Sequence, residues 1–198
     1  MASPDLKPLY LIAGSDGPKV ELALRRLRRH FPADGTELHL AAELDGEGAV
    51  GLCNSLGLFG GGSGRLVVVD GVEAWKAVDA KAIEAYAVSP APDTVLALVG
   101  GQLKADSPLA KACKKGGDLL LFEAPRDRDL PGWVAKQFEA ARTPVDADAC
   151  RALVEIVGDG LQELASEIDK IAQWAAGERV TADAVARLAS AVADTPPY

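Results

Sequence analysis

Five short apolar runs constrain this chain more than any other feature. They are LYLIAG (residues 9–14), ELHLAA (37–42), RLVVVDG (65–71), TVLALVGG (94–101) and DLLLFEA (118–124), most of them ending at glycine or proline. Several are continuous rather than alternating, as strands covered on both faces are. Helical segments separate them. Val20, Leu24, Leu27 and Phe31 form one apolar stripe, with Pro18 as an early helix residue whose missing N–H does no harm. A weaker helix is expected from about 47 to 56. EAWKAVDAKAIEAYA is rich in Ala and Lys, with Trp75, Val78, Ile83 and Tyr86 as its anchors, and Ser107 caps a helix that opens at Pro108 and stops at Gly116–Gly117. Strand and helix alternate throughout, which predicts an α/β domain with a largely parallel sheet.

The pattern changes after APRDRDLPGW. Pro131 opens a helix to about 141, and no strand signal returns. Three further helices are expected from Val145 onward: one capped by Asp146, one carrying the stripe Leu161, Leu164, Ile168, Ile171 and Ala175, and one capped by Thr181. The boundary is placed at Thr143–Pro144. Residues 1–143 form the α/β domain and 144–198 a small three-helix unit.

Composition removes several functional classes. No apolar run reaches the roughly 20 residues of a membrane span, and MASPDLKP lacks the features of a secretory leader. The three cysteines, Cys53, Cys113 and Cys150, are isolated and read as buried small hydrophobes of a reducing, cytoplasmic setting. Without a CxxC pair, and with His30 and His39 far from any ligand spacing, no metal site is expected. The formal net charge of −8 argues against tight nucleic-acid binding by bulk charge. Local basic patches remain: Arg25, Arg26, Arg28 and Arg29 lie opposite the apolar stripe of the first helix, and Lys111, Lys114 and Lys115 gather on another. Either is a solvated helix face or a contact for DNA or a neighbouring subunit.

An α/β domain with a helical appendage invites a test for a phosphate-binding loop, G-x-x-x-x-G-K-[ST]. After the first strand the chain offers AGSDGPKV (13–20). Lys19 is kept. Ala13 and Pro18 stand in place of the two glycines, and Val20 in place of the hydroxyl residue. Proline gives no N–H to a phosphate, and valine cannot ligate a metal. Asp70, after VVV, reads as a turn residue without a second carboxylate beside it. No G-x-S-x-G elbow, HExxH motif or local Cys–His pattern is present. The scaffold resembles a nucleotide-binding fold that has lost its chemistry, and no cofactor is expected.

One stretch resists a purely structural reading. NSLGLFGGGSG (54–64) sets Leu56, Leu58 and Phe59 directly before a Gly/Ser tract with the residue types of a linker. Together with LYLIAGSDGPKVELALRRL, SLGLFGGGSGRLVVVDG, PGWVAKQF and VGDGLQELASEIDKIAQWAAGERVTADAVARL, it makes the chain resemble the delta subunit of the bacterial DNA polymerase III clamp loader. The resemblance implies an AAA+ type fold, with a RecA-like domain over 1–143 and a helical lid over 144–198. It also implies a third, collar domain that assembles a five-subunit ring. The sequence stops at ADTPPY before such a collar, so a truncated or unusually short relative is expected.

In the family, an exposed Leu-Phe pair enters a hydrophobic pocket on the sliding clamp, the beta subunit. Leu58 and Phe59 match it, with Leu56 in support; the longer glycine tract is a departure. The resemblance implies that the chain binds the clamp and helps open it for loading onto primed DNA during replication. It would hydrolyse no ATP, and would be a non-catalytic component of the DNA-directed DNA polymerase holoenzyme. Its partners would be the clamp, the tau/gamma and delta prime subunits and, in the assembled complex, primer-template DNA, with no membrane. Two alternatives stay open: a nucleotide-dependent enzyme with an atypical phosphate loop, and a DNA-binding replication or repair accessory protein.

Overall fold

Strand β1 (Leu9–Gly14) is central because it is apolar on both faces, and residues 9–13 are almost wholly buried. It pairs in parallel with β4 (Thr94–Gly100) on one side and β5 (Asp118–Phe122) on the other. β3 (Arg65–Asp70) lies beside β4, and β2 (Thr36–Leu40) closes the far edge. The five-stranded sheet has the order β2-β3-β4-β1-β5, entirely parallel. These coordinates come from a computed structural model, which describes residues 6–55 and 64–189. Leu56, Leu58 and Phe59 fall outside the described residues.

Side-chain alternation gives the sheet two cores. On one face, Tyr10, Ile12, Leu66, Val68, Val95, Ala97 and Val99 pack with Val20, Leu27 and Phe31 from helix α1 (Gly17–Arg28) and the turn after it. On the other, Leu9, Leu11, Val67, Val69, Leu96 and Leu98 meet α2 (Gly46–Asn54), α3 (Ala77–Val88) and α4 (Pro108–Gly116). The expected caps are present where a side chain reaches a free amide: Ser107 Oγ accepts from Ala110 N at 3.2 Å, and Pro18 and Pro108 sit in first turns.

Helix α3 departs from the sequence expectation. It begins at Ala77, so Trp75 precedes it and donates its indole N–H to the Leu44 carbonyl at 3.0 Å. Val78, expected as an anchor, is 60% exposed, whereas Asp79 is buried. One carboxylate oxygen of Asp79 accepts from Gly46 N at 2.9 Å and the other from Lys76 N at 2.7 Å. A single buried side chain thus satisfies the first turns of both α2 and α3, which no apolar residue there could do.

The chain divides into compact units at 1–123 and 124–198. The division falls earlier than the expected Thr143–Pro144, for a packing reason. Helix α5 (Leu130–Ala140) places Leu130, Trp133, Val134 and Phe138 in one core with α6 (Ala147–Val157), α7 (Leu161–Ala175) and α8 (Ala182–Ala189). The second unit therefore has four helices among its described residues, not three. Thr181 caps α8 as expected, accepting from Ala184 N at 3.3 Å. Asp146 makes no side-chain cap bond and instead pairs with Arg179 at 3.1 Å.

Asp79→Ala is expected to leave the buried Gly46 N–H and the partly buried Lys76 N–H without this acceptor and to lower stability by about 1–3 kcal/mol, read by urea denaturation. Val78→Ala, on the exposed side of the same helix, should change it by less than about 0.5 kcal/mol.

Candidate functional site

In open parallel sheets, ligands sit at the carboxyl ends of the strands. Here that place is the turn from β1 into α1. Gly14 has φ +141°, and a Cβ there would lie 2.0 Å from the Phe122 carbonyl oxygen, so only glycine fits between the strand ends. Its N–H donates to the Gly101 carbonyl at 2.8 Å, and the Asp16 N–H donates to the Phe122 carbonyl at 3.1 Å. Gly101 N donates to the Glu73 carboxylate at 3.0 Å. Two amides of this turn, those of Gly14 and Asp16, are thus engaged with neighbouring strand ends.

The side chains complete this closure. Asp16 is fully buried and caps α1, its Oδ1 accepting from Lys19 N at 3.2 Å. Its Oδ2 lies 2.6 Å from Lys19 Nζ. The lysine retained from the phosphate-loop pattern is therefore paired with a carboxylate of its own first turn. A helix N-terminus favours an anion, and here the chain supplies it. Val20 and Ala13 belong to the two sheet cores, and Pro18 has no N–H to give. Sequence reasoning passed over Asp16, although an Asp immediately before Gly-Pro is a helix-cap signal.

At the opposite end of the sheet, Arg65 organises the start of β3. Its guanidinium grips Glu37 with two hydrogen bonds, Nε to Oε1 at 2.8 Å and Nη2 to Oε2 at 3.1 Å. Nη1 donates to the Leu52 carbonyl at 2.8 Å and to the Ser55 carbonyl at 3.1 Å. Arg65 thus ties the end of α2, at Leu52 and Ser55, to the edge strand. These hydrogen bonds hold the Glu37 carboxyl below its ordinary 4.5, with partial burial opposing them. No local sequence signal marks this pair, because its members lie 28 residues apart.

The arginines of α1 also lie toward this end. Arg25, Arg28 and Arg29 line a groove of about 500 Å³ with Glu21, Leu24, Phe31, Ala33 and Thr36. Arg25 approaches Glu21 at 3.9 Å; Arg26, Arg28 and Arg29 make no ion pair among the described residues. On the other patch, Lys115 pairs with Glu84. All three cysteines are buried, and burial pushes the Cys53 thiol up to about 11 and that of Cys113 to about 12, so neither is poised as a nucleophile. No group of three or more metal-ligating side chains occurs among the described residues, and none of their helices is long and apolar enough to cross a membrane.

The all-parallel sheet ordered β5-β1-β4-β3-β2, followed along the chain by a helical unit, is an α/β fold. Solved structures of the same class include the Thermotoga maritima RuvB Holliday junction branch migration motor, at 12% identity and TM-score 0.51, covering 94% of this chain and 62% of that one. A more similar fold is that of the Bacillus subtilis DNA clamp loader delta protein, with TM-score 0.72, 20% identity and 93% of this chain covered. This chain spans 58% of the length of that protein. No protein-family model matches the sequence, and no curated protein matches it.

The Arg65–Glu37 grip sets a pH dependence. A carboxylate whose folded-state pKa is lowered contributes stability above its unfolded value, and that contribution is lost as pH falls through the folded value. Wild type is therefore expected to exceed Glu37→Gln in stability at pH 7 by less than about 1 kcal/mol, since the pair is partly solvated. The difference should close as pH drops below 4.5. Chemical denaturation across a pH series checks this.

Proposed function

We propose that the chain is the clamp-binding and clamp-opening part of a bacterial clamp-loader delta subunit, acting as a binding module in DNA replication. The observation that carries the reading is the fold likeness to the Bacillus subtilis delta protein over nearly the whole chain. The β1–α1 turn supports it, because its buried Asp16 carboxylate caps α1 and pairs with Lys19, the lysine that the phosphate-loop pattern would turn toward a nucleotide. On this reading catalysis belongs to other subunits, and tau/gamma, delta prime and primer-template DNA are met in the assembled loader.

Leu58 and Phe59 are the proposed anchors, with Leu56 in support. Burying a Leu or Phe side chain contributes roughly 1.5–3 kcal/mol. Two adjacent anchors in a dry pocket can therefore dominate a modest interface. Opening of the ring follows only to the extent that the bound form prefers an open clamp. Arg65 supports the pair from outside it, by fixing Ser55 and the start of β3 on either side of the segment.

Leu58→Ala combined with Phe59→Ala is expected to weaken binding to the purified clamp of the same organism by at least about 100-fold, with thermal stability unchanged. Surface-binding measurements make the comparison. Equal affinity of wild type and double variant would remove the reading.

A further inference from the structure

The arginine groove along α1 lies apart from the β1–α1 turn, and neither Asp16 nor Lys19 lines it. Arg25, Arg28 and Arg29 are spaced i, i+3 and i+4, so one helix face presents all three to the groove. All three are exposed. Glu21 is the one carboxylate among the lining residues. Its 3.9 Å approach to Arg25 joins two side chains that are each more than half exposed, a weak and solvated pair. Arg28 and Arg29 make no ion pair among the described residues. The negative end of the α1 dipole amounts to about half an elementary charge, which does not cancel the remainder. The groove is therefore a local cationic site on a chain whose formal net charge is −8.

Charge density selects the anion. The three guanidinium groups arise from about 6 Å of helix axis. Carboxylates crowded closely enough on a protein surface to match them would repel one another. A nucleic-acid duplex carries one negative charge per about 1.7 Å of its axis and holds those charges in place already. Guanidinium forks pair readily with phosphate oxygens. A single strand would instead call for exposed rings on which its bases stack. Phe31, the aromatic residue lining the groove, is only 8% exposed, so the groove offers charge without a stacking platform. Contacts to phosphate alone carry no sequence information.

We infer that the Arg25–Arg28–Arg29 groove binds the phosphate backbone of duplex nucleic acid, weakly and without regard to sequence, in this chain by itself. The inference goes beyond clamp binding and does not rest on Leu58 and Phe59. About three phosphates are engaged while the protein as a whole is acidic. The affinity is therefore that of non-specific binding, with a dissociation constant on the order of 10–100 μM.

The test is fluorescence anisotropy of a labelled DNA duplex of about 20 base pairs, titrated with the chain at about 50 mM salt and with no other protein present. Wild type is compared with the triple variant Arg25→Gln, Arg28→Gln, Arg29→Gln and with the matching triple Lys variant. A fourth protein, Lys111→Gln with Lys114→Gln, removes charge from α4 on the other face of the sheet. The wild-type affinity is expected to fall with salt at a log–log slope of about −2.7, about −0.9 for each of three phosphates. The Gln triple variant should bind at least about tenfold more weakly, with a flattened slope and an unchanged melting temperature. The Lys triple variant should keep most of the affinity, because a backbone contact needs the charge more than the fork. The α4 variant should bind as wild type does, and a second duplex of unrelated sequence should bind equally well. No wild-type binding at about 100 μM protein, equal binding by the Gln triple variant, or tighter binding of a single strand of the same length overturns the inference. An equal loss in the α4 variant also overturns it, because binding would then follow overall charge rather than the groove. None of these results bears on the Leu58–Phe59 pair, whose own test uses the clamp.

Discussion

The carboxylate of Asp16, buried at the first turn of α1 and held by Lys19, is the interaction on which the functional account depends. In a parallel α/β sheet the β1–α1 turn is where a phosphate ordinarily finds backbone amides and the positive end of a helix dipole. Here the amides of Gly14 and Asp16 serve the carbonyls of Gly101 and Phe122, and the dipole meets an intramolecular anion. The turn is thereby converted from a ligand site into a structural joint between β1, β4 and β5. On the proposed reading, the work of such a domain is done elsewhere on its surface.

That other place is the opposite end of the sheet. The bidentate Arg65–Glu37 pair, the Leu52 and Ser55 carbonyls it also binds, and the cationic groove beside Thr36 all sit where β2 and β3 begin. The carboxyl ends of β1 and β4 are tied by short internal bonds, while Thr36 at the amino end of β2 shares a groove with Arg25, Arg28 and Arg29. On the proposed reading, such a division of labour suits a binding module.

Much of this was legible from residue patterns, and for definable reasons. β1, β3 and β4 read plainly because strands buried on both faces must be continuously apolar. The edge strands were harder: β2 ends at Leu40 and β5 at Phe122, before the apolar runs themselves end. Val78, expected as an anchor, is exposed and Asp79 is buried, because a hydrogen-bonding requirement shared by two helices outweighed hydropathy at that position. Helix α5 joined the second unit because Trp133 and Phe138 fill the helical core, a long-range fact that turn residues at Thr143–Pro144 do not encode. The loss of the phosphate-loop pattern was visible in Ala13, Pro18 and Val20; its replacement by Asp16 was not, since it depends on burial and on where the Lys19 ammonium lies.

Calorimetric titration of the chain with Mg-ATP tests the central claim most directly. If Asp16 and Lys19 occupy the phosphate position as described, no binding heat is expected up to millimolar nucleotide. Saturable binding in the micromolar range would contradict the account, because it would require the Asp16–Lys19 pair and the strand-end hydrogen bonds to give way to the nucleotide.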